Sequence, residues 1–362
     1  MAGAVVIRRF ASLGAFRSLQ TFQMLPKDGQ QGQGQNRNSC TYNPTLTFAP
    51  GQNGGGEQRI GPLVAEQQKK GRLFYGIEVL ARTRKEPVNL DFNTFLPVLP
   101  IFVSVVWHSL RYWDVEPISE VDCIVLCKLL AKRLPTMPHL TCYRMSKQRM
   151  DQFLDLEFKN LLALRGDDAE PKQEFTFSAD LTQFAKCRFG DRISVSVAGF
   201  PDGYTRSERT PEHMERNLKI MKAKVEAGAD CIITQMCYKP DAIIKYVKDC
   251  RAAGITVPIL LGIMAPDTYA CYKNMIKKGE AELPPDLAEE VERLQCEILT
   301  DPSQNSDQIS QFFVNYNVRL ICEVLAACDD VWGIVFFTLN RFGSVHLTLK
   351  ELQKIGLFNE VS

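Results

Sequence analysis

The sequence is poor in the residues that mark several common classes of protein. Its 362 residues include four histidines, and none of its twelve cysteines belongs to a Cys-x-x-Cys pair, so the spacing typical of a zinc site is missing. Basic and acidic residues nearly cancel (43 against 42), which removes the general electrostatic case for nucleic acid or an anionic membrane. No stretch approaches the roughly 18 consecutive apolar residues that a membrane span requires. We therefore expect no metal site, no nucleic-acid partner and no membrane span.

The cysteines are scattered and mostly lie inside apolar runs, as at Cys123, Cys127 and Cys231. This placement is typical of buried free thiols in a reducing compartment. It counts against a secreted adhesion protein, although the adhesion tripeptide Arg-Gly-Asp occurs at residues 165–167.

The first 60 residues differ in composition from the rest. Arginines but no acidic residue precede Asp28, and the apolar residues between them fit one face of a helix, as in a mitochondrial transit peptide. The alternative is a basic N-terminus that carries no targeting signal, in a cytoplasmic protein. A stretch rich in Gly, Gln and Asn follows, which cannot bury enough apolar surface to fold. We predict a disordered N-terminal extension, 1–60, and a catalytic domain, 61–362, with order expected from about Arg72.

Beyond Arg72, short apolar segments alternate with amphipathic helical patterns such as those at 119–134, 211–228 and 240–254. Eight segments are strand candidates: 72–79, 101–107, 138–142, 160–165, 192–199, 231–235, 257–262 and 332–338. Strands that are apolar along their whole length, separated by helices, indicate a parallel sheet covered on both faces. We predict an α/β fold, a (β/α)8 TIM barrel, with an inserted helix and loop at 283–308. The alternative, an open doubly wound sheet, lacks support because its glycine-rich phosphate-binding motifs are missing.

Polar residues stand at the C-terminal ends of the predicted strands, where the chemistry of such a barrel takes place. They are Glu78, His108, His139, Arg165, Asp167, Gln235, Asn340 and Arg341. Taken singly, each residue type has a structural alternative: a glutamate caps a helix, a histidine is satisfied in the core, a glutamine belongs to a turn. Together at one rim they favour a site for a large, planar ligand with polar edges.

Several segments occur in an order that resembles one known family. They are FVSVVWH, PHLTC, LLALRGD, VSVAGFP, KAKVEAGADCIITQ, GITVPILLGI and FFTLNR. Over residues 72–358 they resemble methylenetetrahydrofolate reductase, and Leu-Arg-Gly-Asp together with Ala-Gly-Ala-Asp-x-x-Ile-Thr-Gln is the most specific part of the match. The resemblance implies a FAD-dependent barrel that reduces 5,10-methylenetetrahydrofolate to 5-methyltetrahydrofolate with NADPH or NADH, in one-carbon and methionine metabolism.

The resemblance also implies roles for individual residues. Glu78 would be the general acid that protonates N10 of the folate, which opens the five-membered ring and leaves an N5 iminium able to accept hydride. Asp167 would lie near the flavin, where its negative charge lowers the reduction potential. Gln235 would hydrogen-bond the pterin, and Arg341 would meet the glutamate tail. The FAD-contacting positions would be His139, Arg165, Gly166, Asp167, Phe200 and Lys224.

The sequence departs from the family pattern near these positions. The usual Phe-Phe-Pro-Pro after the acidic residue is replaced by residues 79–82, and a histidine and an aspartate expected near FAD are Tyr204 and Asn217. The chain also ends where the barrel is expected to end, so we expect no C-terminal regulatory domain that binds S-adenosylmethionine. The alternative function is a barrel that binds FAD or folate without efficient turnover, as a sensor or partner subunit. Another flavin barrel, such as a proline-dehydrogenase-like oxidase, is a third possibility, and a homo-oligomer stays open.

Overall fold

A closed barrel of eight parallel strands forms the centre of the molecule. The computed structural model describes residues 41–49, 55–168, 170–204, 209–279, 281–301 and 307–358. The strands in these ranges are, in chain order, β1 (Thr45–Thr47), β2 (Phe74–Val79), β3 (Asn89–Asp91), β4 (Phe102–Val105), β5 (Thr136–Thr141), β6 (Asn160–Leu164), β7 (Ser194–Gly199), β8 (Cys231–Thr234), β9 (Ile259–Ile263) and β10 (Gly333–Phe337). All but β1 and β3 belong to the barrel, in the order β10-β2-β4-β5-β6-β7-β8-β9. The predicted (β/α)8 TIM barrel is confirmed.

Helices separate most of the barrel strands along the chain, and several of them pack directly against the strands. They are α1 (Ile60–Lys69), α2 (Ser109–Tyr112), α3 (Asp122–Leu130), α4 (Lys147–Leu154), α5 (Ser178–Phe189), α6 (Pro211–Glu226), α7 (Pro240–Ala252), α8 (Tyr269–Gly279), α9 (Pro285–Thr300), α10 (Gln308–Ala327) and α11 (Gly343–Lys354). Because helices cover the outside and side chains fill the inside, β2 and β5 are buried at every residue. The helix predicted within 283–308 is α9. In the described ranges no helix is both long and apolar enough to cross a membrane.

Ordered structure begins earlier than the composition predicts, and the expectation of order from about Arg72 is wrong. The first two N–H groups of α1 donate to Asn160 Oδ1 (2.6 Å) and Ser194 Oγ (3.2 Å). Just before α1, Glu57 accepts a hydrogen bond from the backbone N–H of Thr136 (3.1 Å). Since these partners lie at the starts of β5, β6 and β7, the α1 region closes the bottom of the barrel. A low-complexity composition did not reveal these long-range partners.

Part of the extension predicted to be disordered also forms structure. Strand β1 pairs in parallel with β3, with Thr45 opposite Asn89 and Thr47 opposite Asp91. The basic segment expected to act as a transit peptide lies outside the described residues. That this segment is a mitochondrial targeting signal stays a prediction.

Candidate functional site

Glu78 and His139 meet inside the barrel near its C-terminal end. Glu78 is the penultimate residue of β2, and its Oε2 lies 3.9 Å from Nε2 of His139 on β5. Because β4 separates β2 from β5 in the sheet, the two side chains reach each other across its inner face. Ser104 of β4 lies between them and is hydrogen-bonded through its hydroxyl to His139 Nε2. The strand ends therefore bring together two residues that the sequence predicted and one, Ser104, that it did not.

Burial keeps both titratable members of this cluster neutral near pH 7. Glu78 is 6% exposed, and desolvation raises its pKa to about 8. Desolvation lowers the pKa of His139 to about 3. The contact between them is therefore a carboxylic acid beside a neutral imidazole rather than an ion pair. The arrangement leaves Glu78 with a proton to donate at neutral pH.

The backbone around Glu78 is held by residues that follow β10. The Thr338 hydroxyl donates to the carbonyl of Glu78 (2.6 Å). Asn340 accepts from the backbone N–H of Leu80 (2.9 Å) and donates to the carbonyl of the same residue (2.8 Å). Asn340 has φ +59°, a left-handed conformation that asparagine tolerates better than most residues. The sequence predicts that Asn340 lies at the rim but indicates no role for it.

A second part of the mouth is a cavity of about 580 Å³ beside the ends of β6 and β7. Its lining includes Arg165, Asp180, Phe200, Tyr204, Arg216 and Lys224 among mostly apolar side chains. Helix α6 brings Lys224 there, and it begins where the Thr210 side chain accepts from the N–H of His213 and proline occupies the first turn. This cavity unites Arg165, Phe200 and Lys224, three of the positions predicted to contact FAD.

Lys224 is buried at the inner wall of this cavity. Its Nζ donates to the carbonyl of Ala198 (2.9 Å) and lies 5.4 Å from the ring centre of Phe200. The Phe200 ring stacks on Tyr204 with centroids 4.3 Å apart. Desolvation lowers the pKa of Lys224 to about 7. A bound anion would favour the charged form, so Lys224 is suited to pair with one.

Gly166 lets the chain turn closely against β5 at the edge of this cavity. Its φ is +85°, and a Cβ there would lie 3.0 Å from Cβ of Thr141. Asp167 follows and is half-buried. The next residue, Asp168, accepts a hydrogen bond from the Ser109 hydroxyl (3.0 Å), which ties this turn to the chain after β4.

The residues around the cavity fit a flat cofactor that carries phosphates, such as FAD. Cationic side chains and aromatic rings line apolar walls, a combination that suits a planar ring joined to a diphosphate. Asn217 shares the buried face of α6 with Lys224, and among the described residues both polar atoms of its side chain have no hydrogen-bond partner. The buried hydroxyl of Thr141 likewise has none. Buried polar groups are normally paired, so these atoms, next in sequence or in space to the lining residue Arg216 and to Gly166, can still form a hydrogen bond.

The two predicted folate-binding residues lie apart from this cavity. Gln235 follows β8, and its side-chain oxygen accepts from the N–H of Met236 (3.0 Å), as in a turn. Arg341 is paired with both carboxylate oxygens of Asp267 (3.1 Å each), which raise its pKa. It lines a recess of about 280 Å³ together with Arg82. In the described parts of the chain, no cluster of histidine, cysteine or carboxylate side chains could hold a metal ion.

Comparison with known proteins gives a consistent set of relatives. The model of the family described as methylenetetrahydrofolate reductase matches residues 64–353. "Methylenetetrahydrofolate reductase 2" of Schizosaccharomyces pombe is 31% identical over 278 residues, which cover 70% of this chain and 41% of that protein. "Methylenetetrahydrofolate reductase (NADH) 1" of Arabidopsis thaliana is 29% identical over 280 residues, 72% of this chain and 44% of that protein. The chain thus spans less than half the length of these eukaryotic relatives.

A bacterial relative and a solved structure match along most of their own length. "5,10-methylenetetrahydrofolate reductase" of Pectobacterium carotovorum is 24% identical over 70% of this chain and 86% of that protein. An uncharacterized protein from Clostridium thermocellum that binds two copies of 5-methyl-5,6,7,8-tetrahydrofolic acid superposes with a TM-score of 0.53 at 10% identity, over 80% of this chain and 98% of that one. At that identity the structural likeness supports the fold alone. On the family match, which covers the whole barrel, the chain belongs to the methylenetetrahydrofolate reductase family.

Proposed function

We propose that this chain reduces 5,10-methylenetetrahydrofolate to 5-methyltetrahydrofolate, with FAD as its cofactor and NADH or NADPH as the electron donor. The observation that carries the proposal is Glu78, a carboxyl that stays protonated at neutral pH because it is buried at the barrel mouth. An acid in this state meets the chemical need of the reaction, since the folate ring opens only when N10 is protonated. Relatives named as NADH and as NADPH enzymes are both found, so the choice of nicotinamide stays open.

The two parts of the mouth, the cluster around Glu78 and the cavity beside β6 and β7, have different roles in this reaction. Glu78 gives its proton to N10 of the folate, and the neutral pair of Ser104 and His139 keeps the acid free of a competing charge. When bound, FAD supplies the hydride that converts the folate iminium to a methyl group. Arg165 and Lys224 line the cavity that would hold it, with Gly166 at its edge. We assign to Asp167 the task of placing negative charge beside the cofactor, which makes the reduced cofactor a stronger donor.

The folate would be oriented by Gln235 and Arg341, and each side chain would first have to leave its present hydrogen-bond partner. Gln235 offers an amide with both a donor and an acceptor, which suits a pterin edge, once its side-chain oxygen leaves the N–H of Met236. Arg341 is 56% exposed in its side chain and can turn from Asp267 to the carboxylates of the glutamate tail. Both changes involve side chains at the barrel rim.

The decisive experiment uses the whole 362-residue chain. Its visible spectrum is recorded as purified, and the protein is then mixed anaerobically with NADH or NADPH, followed by 5,10-methylenetetrahydrofolate. Bleaching of flavin absorbance by the nicotinamide and its return on adding the folate are the expected results. A protein that neither carries nor binds flavin would refute the proposal. Flavin that is bleached but never reoxidised by the folate would favour a binding barrel without efficient turnover.

We also propose a mitochondrial address, supported by the basic, acid-free composition before Asp28. A cytoplasmic protein is the alternative. The two are separated by the fusion experiment given in the Discussion.

A further inference from the structure

A segment that precedes the family match lies against the chain that follows Glu78. We call this segment, Tyr42–Phe48, the strap. Its central strand β1 pairs with β3 at three positions. At its end, the ring of Phe48 stacks on Phe92 with centroids 4.4 Å apart and an interplanar angle of 6°. The match to the family begins at residue 64, so family membership assigns this segment no role.

The chain after Glu78 is a small hairpin, residues 80–88. Its arms are joined by an antiparallel bridge between Arg82 and Pro87. At its tip the N–H of Glu86 donates to the Thr83 hydroxyl (3.0 Å). The hairpin is also fixed to α3, because Arg84 pairs with Asp122 (2.8 Å).

Tyr42 closes the base of this hairpin. Its hydroxyl donates to the carbonyl of Ala81 on one arm, and the backbone N–H of Thr45, also in the strap, donates to the carbonyl of Val88 on the other arm (3.0 Å). Tyr42 is 4% exposed, so these hydrogen bonds are sheltered from water. On the opposite side, Asn340 holds both backbone groups of Leu80. The first residues after β2 are therefore held between two side chains from distant parts of the sequence.

We propose that Tyr42 is a positioning residue for Glu78: by anchoring the first arm of the hairpin to the strap, it keeps water from the acid at the end of β2. The proposal rests on the proposed role of Glu78 as the acid of a folate reductase. Removing the hydroxyl leaves the Ala81 carbonyl without this partner, which is costly enough to open the hairpin to water. Water near β2 would stabilise the ionised carboxylate and make Glu78 a poorer proton donor.

The test compares Tyr42→Phe with Tyr75→Phe in the whole 362-residue chain. Tyr75 is a matched control, because its buried hydroxyl also donates to a backbone carbonyl, that of Val98 (2.5 Å), which lies outside the hairpin. Phe48→Leu loosens the strap at its other end and serves if Tyr42→Phe does not fold. Three readouts are used: tryptic cleavage after Arg82 and Arg84, the infrared titration of the Glu78 carboxyl, and the pH profile of flavin reoxidation by the folate. The infrared band is assigned by its loss in Glu78→Gln.

We expect Tyr42→Phe to be cleaved within the hairpin roughly tenfold faster than the wild type, the factor that matches the loss of one ordinary hydrogen bond. The Glu78 carboxyl should ionise at a lower pH than in the wild type, and the alkaline limb of the folate reaction should move in the same direction. Tyr75→Phe should change neither the cleavage nor the titration. The proposal is overturned if the Glu78 titration of Tyr42→Phe matches that of the wild type, whatever the cleavage rate, or if Tyr75→Phe alters cleavage and titration equally.

Failure of the proposed function would look different from failure of this inference. A chain without reductase activity would still show the faster cleavage and the altered titration if Tyr42 positions Glu78. An active chain in which Tyr42→Phe leaves all three readouts unchanged would keep the proposed function and remove the role of Tyr42.

Discussion

Replacing Glu78 by glutamine should change how the stability of the barrel depends on pH. Burial raises the pKa of this carboxyl from 4.5 to about 8, so the folded chain keeps a proton that the unfolded chain has lost between these values. In that window the folded state binds more protons, and the free energy of unfolding therefore falls as pH rises. Each pH unit contributes about 1.4 kcal/mol, so about 3 kcal/mol is lost between roughly pH 5.5 and pH 8. Glutamine does not ionise, and the variant escapes this loss.

The assay is urea unfolding of the wild type and Glu78→Gln over this pH range. The difference in unfolding free energy should shift in favour of the variant by about 3 kcal/mol from the acidic to the alkaline end. Glu57, whose pKa burial raises to about 7, titrates in both proteins and cancels from the difference. The exposed Glu226 supplies a control, since Glu226→Gln makes the same substitution at the protein surface.

Parallel stability curves for the wild type and Glu78→Gln would refute the reasoning, because they would mean that Glu78 ionises alike in the folded and unfolded chains. The same variant separates the two halves of the proposed reaction. Flavin reduction by the nicotinamide should stay nearly intact, whereas reoxidation by the folate should be abolished. Loss of both together would mean that Glu78 is not the acid.

Further predictions concern the cavity beside β6 and β7, which is proposed to hold the cofactor, and the N-terminus. Gly166→Ala should destabilise the protein by about 1–3 kcal/mol in denaturant unfolding, because a Cβ at this positive φ meets Thr141. The control Gly254→Ala should cost less, since Gly254 has a similar φ (+80°) but no neighbour within 4 Å. Equal losses of stability would exclude the contact with Thr141 as the cause. Because the pKa of Lys224 is lowered to about 7, the FAD affinity measured by calorimetry should fall by up to about tenfold per pH unit above that value. Lys224→Met should bind FAD weakly and without this pH dependence. Unchanged FAD binding by the variant would show that Lys224 is not part of the site. A fluorescent fusion of residues 1–60 should enter mitochondria, and a diffuse cytoplasmic signal would contradict the proposed address.

The barrel could be predicted because its strands are buried on both faces. A segment such as IFVSVVW has no polar face to leave in water, so it indicates a parallel strand covered by helices, and that is the environment of β4. The C-terminal ends of such strands meet at one rim, which places Glu78 and His139 near each other without knowledge of strand order. The distance between their side chains required the register of β2, β4 and β5.

The supporting residues could not be predicted because their partners are remote in sequence. Asn340 holds Leu80 across 260 positions, and Tyr42 holds Ala81 across 39. Nothing in the local pattern around either residue indicates such a contact. Ser104 left a weak signal, as the one polar residue within an apolar strand at a position that faces the barrel interior. A serine there has to find a partner, and the buried His139 supplies it.

One physical cause, burial, prepares the two parts of the mouth for opposite tasks. It raises the pKa of Glu78 to about 8 and lowers that of Lys224 to about 7. Between these values both groups are mainly neutral, so the barrel mouth avoids two buried charges that would each be costly without a partner. An anionic cofactor would draw a proton onto Lys224, while Glu78 keeps its own until a basic nitrogen approaches. On the proposed function, cofactor binding and proton donation would both be poised near neutral pH, and opening the mouth to water would weaken both.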